Sequence, residues 1–157
     1  RHLIGAMDEL ENVNCFILGD GPAKEKLMRL SKNMNVKFLG HVKQKRVLAY
    51  LSCFKILVVP SIANEGFPNV IIEAMSVGTP VIGTDVDSIK EIITKNNCGM
   101  VVRKGSSSDL SRAISVMLND DNFLSEASKN AIVNISRYHW DVIGPKFERM
   151  FLEVIDS

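Results

Sequence analysis

The sequence lacks the features that mark several large classes of protein. It has only 3 cysteines in 157 residues. Cys15, Cys53 and Cys98 lie far apart among apolar neighbours, a pattern that favours reduced, buried thiols over a disulfide framework or a zinc site. No apolar run approaches the roughly 20 residues of a membrane helix, and the first residues carry charges where a signal peptide needs an apolar stretch. We therefore expect a cytoplasmic protein with no metal site and no cofactor.

Aromatic residues are also scarce, at 6%. They do not alternate with basic residues, which argues against a nucleic-acid partner. The net charge of +1 conceals an asymmetry, because residues 1–55 hold ten Lys and Arg against five Asp and Glu, and the remainder holds nine against thirteen. Lys43, Lys45 and Arg46 share one predicted helix. A solvated helix face is the interpretation that we favour, and a peripheral contact with anionic lipid headgroups at the inner face of a membrane is the alternative.

The length and the hydrophobic content of 46% suit a single α/β domain. Short apolar runs alternate with amphipathic segments, the pattern of a parallel sheet covered by helices on both faces. Leu27, Leu30 and Met34 form one apolar stripe at helical spacing, and a second runs from Leu110 to Leu118, so each is predicted to face the sheet. Strands are predicted at residues 15–18, 36–39, 55–59, 81–84 and 100–102. Helices are predicted at residues 23–33, 43–52, 68–77, 87–95, 108–118, 121–136 and 141–155.

The segment after the third predicted strand indicates a binding site. The strand ends at Val59, a loop with Glu65 and Gly66 follows, and Pro68 opens a helix, where its missing N–H costs nothing because first-turn donors have no partner within a helix. Open α/β sheets bind ligands in the crevice beyond the carboxyl ends of their strands, and an exposed helix start suits an anion such as phosphate.

Two carboxylates flank this helix start. Glu65 and Glu73 are acceptors only when ionised, and they suit vicinal hydroxyl groups, each of which is a donor. Backbone amides for a phosphate and carboxylates for diols together describe a site for a sugar nucleotide. The spacing alone is uninformative, because Glu148 and Asp156 share it. The context of the first pair, Glu65-Gly-Phe-Pro-Asn69 followed by Glu73-Ala-Met75, is what gives it weight.

This context resembles the Glu-x7-Glu motif of retaining GT-B glycosyltransferases of glycosyltransferase family 4, the glycosyl transferases group 1. Other landmarks agree in order and distance, and the resemblance extends over nearly the whole chain. They are Phe16-Ile-Leu-Gly19-Asp20-Gly21-Pro22, Val36-Lys-Phe-Leu-Gly40, Pro60-Ser61, Gly78-Thr-Pro80-Val-Ile, Asn97-Cys-Gly99-Met-Val-Val and Arg137-Tyr-His-Trp140. The resemblance implies that residues 1–157 form the Rossmann-like C-terminal half of a GT-B fold, the domain that binds the donor nucleotide.

The resemblance also implies an activity. Family members transfer a sugar from a nucleoside-diphosphate sugar to a saccharide or lipid-linked acceptor in polysaccharide or glycolipid biosynthesis. Transfer retains the anomeric configuration without a metal, and the leaving diphosphate helps to deprotonate the acceptor from the same face. Two alternatives stay open: a GT-B-fold sugar-nucleotide epimerase, and a non-catalytic nucleotide-binding module.

Carried onto this sequence, the family pattern makes Glu65 the catalytic candidate beside the transferred sugar and Glu73 the acceptor for the ribose hydroxyls. Gly66 and Phe67 shape the loop between them. The free amides of Phe67, Asn69 and Val70 are expected to face the sugar and the phosphates. Relatives more often carry glycine where this chain has Pro68, so one amide contact is lost here.

The same comparison implies further donor contacts at the ends of the first two predicted strands. Gly40, His41 and Val42 are expected to hold the nucleotide base with backbone groups, and Gly19 lines the sugar pocket. Family members also have a strand, an arginine and a lysine before the helix that begins near Arg1, and an N-terminal domain that binds the acceptor. Without that first, central strand we expect either a gap in the sheet or direct pairing of its neighbours, and an inactive fragment.

Overall fold

The computed structural model describes residues 1–32, 34–63 and 66–155, and within them helices alternate with short strands. The helices are α1 His2–Met7, α2 Lys24–Leu30, α3 Gln44–Cys53, α4 Asn69–Ser76, α5 Asp87–Asn96, α6 Ser107–Leu118, α7 Asp121–Asn134 and α8 Trp140–Ile155, with a 3₁₀ turn at Ile135–Tyr138 before α8. The strands are β1 Cys15–Leu18, β2 Val36–Gly40, β3 Leu57–Val59, β4 Val81–Thr84 and β5 Gly99–Val102. All five predicted strands are confirmed, within two residues at each end.

The strands form two separate parallel sheets within the described ranges. β1 pairs with β2, with Cys15 opposite Val36. The other three lie in the order β3-β4-β5, with Val81 opposite both Leu57 and Gly99. β1 and β3 do not pair with each other, so a gap, and not direct pairing, separates the two sheets.

Helices cover both faces of the three-stranded sheet. Val81 and Ile82 are neighbours on β4 and belong to different apolar clusters, because successive side chains of a strand point to opposite faces. The Val81 cluster is closed by α4, α5 and α7, and the Ile82 cluster by α1 and α6. In the predicted stripe, Leu110, Ile114 and Met117 are buried and Leu118 is partly buried against them, so the prediction that it faces the sheet is confirmed. Parallel strands with helices on both faces make the arrangement Rossmann-like.

The prediction for α2 is wrong in length and in burial. The helix ends at Leu30, where Ser31 takes an extended conformation, and the residue expected to end it, Asn33, lies outside the described residues. Because the chain leaves the helix at Ser31, Met34 is no longer on the helix face and is 93% exposed; Leu30 is 44% exposed. The stripe of Leu27, Leu30 and Met34 therefore does not form a core.

Of the three cysteines, Cys98 is buried as expected and Cys15 is only half-buried. Burial raises the pKa of the Cys15 and Cys98 thiols to about 11, which makes both inert at neutral pH. Cys53 is exposed, contrary to expectation. It lies two positions after the buried Leu51 on α3, and at 3.6 residues per turn that offset turns its side chain away from the core.

The described ranges lack two features that would change the functional interpretation. They contain no group of three or more His, Cys, Asp and Glu side chains that could hold a metal ion. No helix among them is long and apolar enough to cross a membrane.

Gly99 gives a test of the packing of β4 against β5. A Cβ atom at this position would lie 1.7 Å from the carbonyl oxygen of Val81, whereas a Cβ at Gly21 would meet nothing within 4 Å. We expect Gly99→Ala to lower the free energy of unfolding by about 2–3 kcal/mol, since backbone must move to relieve the overlap. Gly21→Ala is the control and should stay within about 0.5 kcal/mol of the original chain in urea unfolding. Equal midpoints for the two variants would show that this approach is not tight.

Candidate functional site

The loops after β1 and β2 are tied together at the carboxyl edge of their sheet. The Gly19 N–H donates to the Gly40 carbonyl at 2.7 Å. Gly40 has a φ of 69°, in the left-handed region, and a Cβ there would lie 3.1 Å from the Lys24 Nζ. Glycine is therefore required at this turn.

Asp20 connects the same two loops through its side chain. Its Oδ1 accepts from the Lys24 ammonium at 2.5 Å, and its Oδ2 accepts from the His41 backbone N–H at 2.6 Å. The hydrogen bond from Lys24, followed by that from the His41 amide, lowers the pKa of the Asp20 carboxyl below its ordinary value. An ionised Asp20 thus fixes the backbone of the segment that was predicted to hold a base.

The start of α4 is tighter than the sequence suggests. Pro68 is the N-cap of the helix and not its first residue, with φ −78° and ψ 84°. These angles are close to those of an inverse γ-turn, and the Asn69 N–H accordingly donates to the Phe67 carbonyl at 3.0 Å. The expectation of a free Asn69 amide is therefore wrong. The Phe67 and Val70 amides remain candidates for an anion.

Among the residues that the structure describes, the surface in front of this helix start is open. Gly66 is exposed, and a Cβ added to it would meet nothing within 4 Å. Phe67 is 53% exposed, and its ring lies 6.1 Å from the ring of Tyr138. A ligand could approach α4 here without displacing core residues. Glu65, the predicted catalytic residue, lies outside the described residues.

Glu73 lies on the second turn of α4 and is partly exposed. Its Oε1 accepts a hydrogen bond from the side-chain amide of Gln44, the first residue of α3. The other carboxylate oxygen is not part of this bond. A short loop separates the end of β2 from Gln44 at the start of α3. The bond therefore brings this loop close to the helix that carries the predicted ribose acceptor.

The structure thus brings together several of the predicted site residues that it describes. Gly19, Gly40 and His41 meet through Asp20, and half-buried Val42 leads from them toward Gln44 and hence to Glu73. Sequence reasoning missed Lys24 and Gln44. One signal was available for Gln44, since polar residues just after the carboxyl end of a parallel strand face the ligand crevice.

The comparisons with known proteins fit this geometry. Residues 1–133 match the family model described as "Glycosyl transferases group 1". The chain belongs to this family. A phosphatidyl-myo-inositol mannosyltransferase of Mycobacterium leprae is 27% identical over 157 residues, which cover 99% of this chain and 42% of that protein.

Solved structures show the same fold as this glycosyl transferases group 1 domain. The sucrose-phosphate synthase of Thermosynechococcus elongatus superimposes with a TM-score of 0.85 at 24% identity, over 99% of this chain and 42% of the other. Anabaena HepE in complex with UDP-glucose gives 0.79 at 24% identity, over 99% and 44%. The chain thus spans less than half the length of these relatives, and it corresponds to one half of their GT-B architecture.

The Asp20 bridge predicts a specific titration. The backbone amide resonance of His41 should shift with the ionisation of Asp20, with a midpoint below the ordinary aspartate value of about 3.9. In Lys24→Met the midpoint should rise, because the cation that favours the ionised form is gone. Both are measured by NMR as the pH falls from 7 to 2.

Arg103 and Asp109 form a comparable exposed pair away from these loops, with the guanidinium Nε 2.7 Å from the carboxylate. Arg103→Met is therefore the matched control and should leave the His41 titration unchanged. An unchanged midpoint in Lys24→Met would contradict the assigned bridge.

Proposed function

We propose that this chain binds the donor of a retaining family 4 glycosyltransferase, a nucleoside-diphosphate sugar, in the crevice between the end of β2 and the start of α4. The observation that carries the proposal is the placement of Glu73: its carboxylate is held next to the loop after β2, beside the opening of a helix. In this proposal the carboxylate that accepts from the diol and the helix start that binds the anion lie in one crevice. That crevice is at the carboxyl ends of parallel strands, where this class of fold binds ligands. Family membership supports the same conclusion.

The parts of the donor follow the chemistry of the crevice. The base lies against the backbone of Gly40, His41 and Val42, whose position Asp20 fixes. The ribose hydroxyls donate to Glu73. The phosphates meet the exposed first turn of α4, through the amides of Phe67 and Val70 and the helix dipole, which favours negative charge.

In this proposal the transferred sugar occupies the space over Gly66, where an added Cβ would meet nothing within 4 Å among the described residues. Gly19 lines the sugar pocket, and Glu65 is the carboxylate beside the sugar. Glu65 stabilises positive charge that develops at the anomeric carbon. In the proposed reaction the departing diphosphate takes the proton of the acceptor hydroxyl on the same face, so that configuration is retained and no metal takes part. The chain contributes positioning and electrostatic stabilisation of the leaving group.

We further propose that the acceptor is a saccharide or a lipid-linked molecule and that a separate N-terminal domain binds it. Two observations support this: a relative is named for transfer to phosphatidyl-myo-inositol, and the matched relatives are more than twice as long as the aligned region. For the exposed Lys43, Lys45 and Arg46, a solvated helix face stays the favoured interpretation, and a peripheral contact with an anionic membrane is the alternative.

Nucleotide binding tests the proposal directly. Among UDP, GDP and ADP, at least one at 100 times its Kd should stabilise the chain by about 2.7 kcal/mol, which raises Tm by roughly 5–10 °C for a chain of this size. Glu73→Ala should weaken that nucleotide by roughly 10- to 100-fold, since bonds to a charged acceptor are lost. Thermal shift and calorimetric titration measure both.

A surface glutamate on another helix provides the control. Glu126 is exposed on α7, so Glu126→Ala should bind like the original chain. The ribose site is assigned wrongly if Glu73→Ala also binds normally. Absence of binding for all three nucleotides would refute the donor-binding function itself.

A further inference from the structure

We propose that Gln44 is the positioning residue that holds the Glu73 carboxylate ready for a ribose diol. The inference rests on the proposed function, since it assigns a role within the same crevice. It adds a residue that neither the family pattern nor the sequence singled out: Gln44 is the only glutamine of the chain.

The first support is the geometry of the bond. The Gln44 Nε2 donates to Oε1 of Glu73, and a carboxylate offers about four lone-pair directions on its two oxygens. One bond from Gln44 uses a single direction at Oε1. The remaining directions, including those of Oε2, can accept from two adjacent hydroxyl groups. The pairing therefore orients Glu73 without blocking it.

The second support is conformational entropy. A glutamate on a helix surface has three rotatable side-chain bonds, and ordering them is a cost that binding must overcome. Gln44 restrains Glu73 before any ligand arrives. A restrained acceptor binds a diol more tightly than a mobile one that makes the same contacts.

The third support is that the helix that carries Gln44 is held near both of its ends. Before it, the backbone of His41 is held by Asp20 at 2.6 Å. Beyond it, the carbonyl of Leu51, near the other end of α3, accepts from the Thr79 hydroxyl at 2.8 Å, and Leu51 is only 2% exposed. The side chain of Gln44 thus projects from a helix that is held near both ends. Its position relative to Glu73 is therefore better defined than that of a residue on a mobile segment.

The test compares two ligands and three variants. The ligands are whichever of UDP, GDP and ADP binds tightest and its 2′,3′-dideoxy form, which lacks the diol. Gln44→Met keeps the length of the side chain and removes the donor. We expect it to weaken the diol-containing nucleotide by roughly five- to tenfold, the scale of one hydrogen bond to a charged group near a surface, and to leave the dideoxy nucleotide within a factor of two.

Gln44→Glu adds a readout that a merely structural role would not move. Two ionised carboxylates would face each other at pH 8 and drive Glu73 away. Because the two like charges repel, lowering the pH from 8 to about 5.5 favours protonation of one carboxylate, which then again offers a donor. The affinity of Gln44→Glu relative to the original chain should therefore recover as the pH falls.

Lys45→Gln is the control for the effect of net charge. Like Gln44→Glu, it lowers the net charge by one unit, and it lies one residue further along α3. The nucleotide phosphate also titrates in this range in every variant, so the ratio of affinities to the original chain at each pH isolates the effect of the carboxylate pair. We expect the Lys45→Gln ratio to be nearly constant with pH.

The outcomes separate the two proposals. The positioning role is overturned if Gln44→Met loses affinity equally for both ligands, or if Gln44→Glu does not regain affinity at low pH. In either case the donor site remains supported as long as nucleotide binding depends on Glu73. A chain that binds none of the three nucleotides would overturn both.

Discussion

Helix α3 connects two sheets whose strands do not pair with each other within the described ranges, and the rest of the structure depends on that connection. In a continuous sheet, ladder bonds would fix β1 beside β3. Here contacts of α3 and of the residue after it hold the two sheets together. On one side, Leu51 is buried in the core of the three-stranded sheet, and its backbone carbonyl accepts from the Thr79 hydroxyl. Just after α3, the ring of Phe54 stacks on Phe16 of β1 at 5.6 Å between centroids. Packing and a few polar contacts thus replace the missing ladder.

The candidate site lies along this junction. Its two sides belong to different sheets, so its shape is set by how α3 packs and by the bond from Gln44 to Glu73, which crosses from one side to the other. Exposed polar bonds of this kind contribute little to overall stability. They contribute to binding because they decide which orientation a side chain has before the ligand arrives.

Electrostatics at the site suit an anionic ligand. An unpaired Asp20 would repel a diphosphate, but the Lys24 ammonium and the His41 amide neutralise its effect while it holds the loop. The first turn of α4 adds the positive end of a helix dipole.

The sequence by itself determined the strands, the α/β class, the family and the helix that carries Glu73, because apolar periodicity and local motifs depend on nearby residues. It could not determine that α2 ends at Ser31, that the Asn69 amide is occupied by the Phe67 carbonyl, or that Gln44 meets Glu73. The Asn69 turn depends on the exact ψ of Pro68. The Gln44 contact joins residues 29 positions apart, and no local pattern encodes such a separation. The contact is decided only by the tertiary structure, because the packing of α3 across the gap between the sheets sets the distance between the side chains of Gln44 and Glu73.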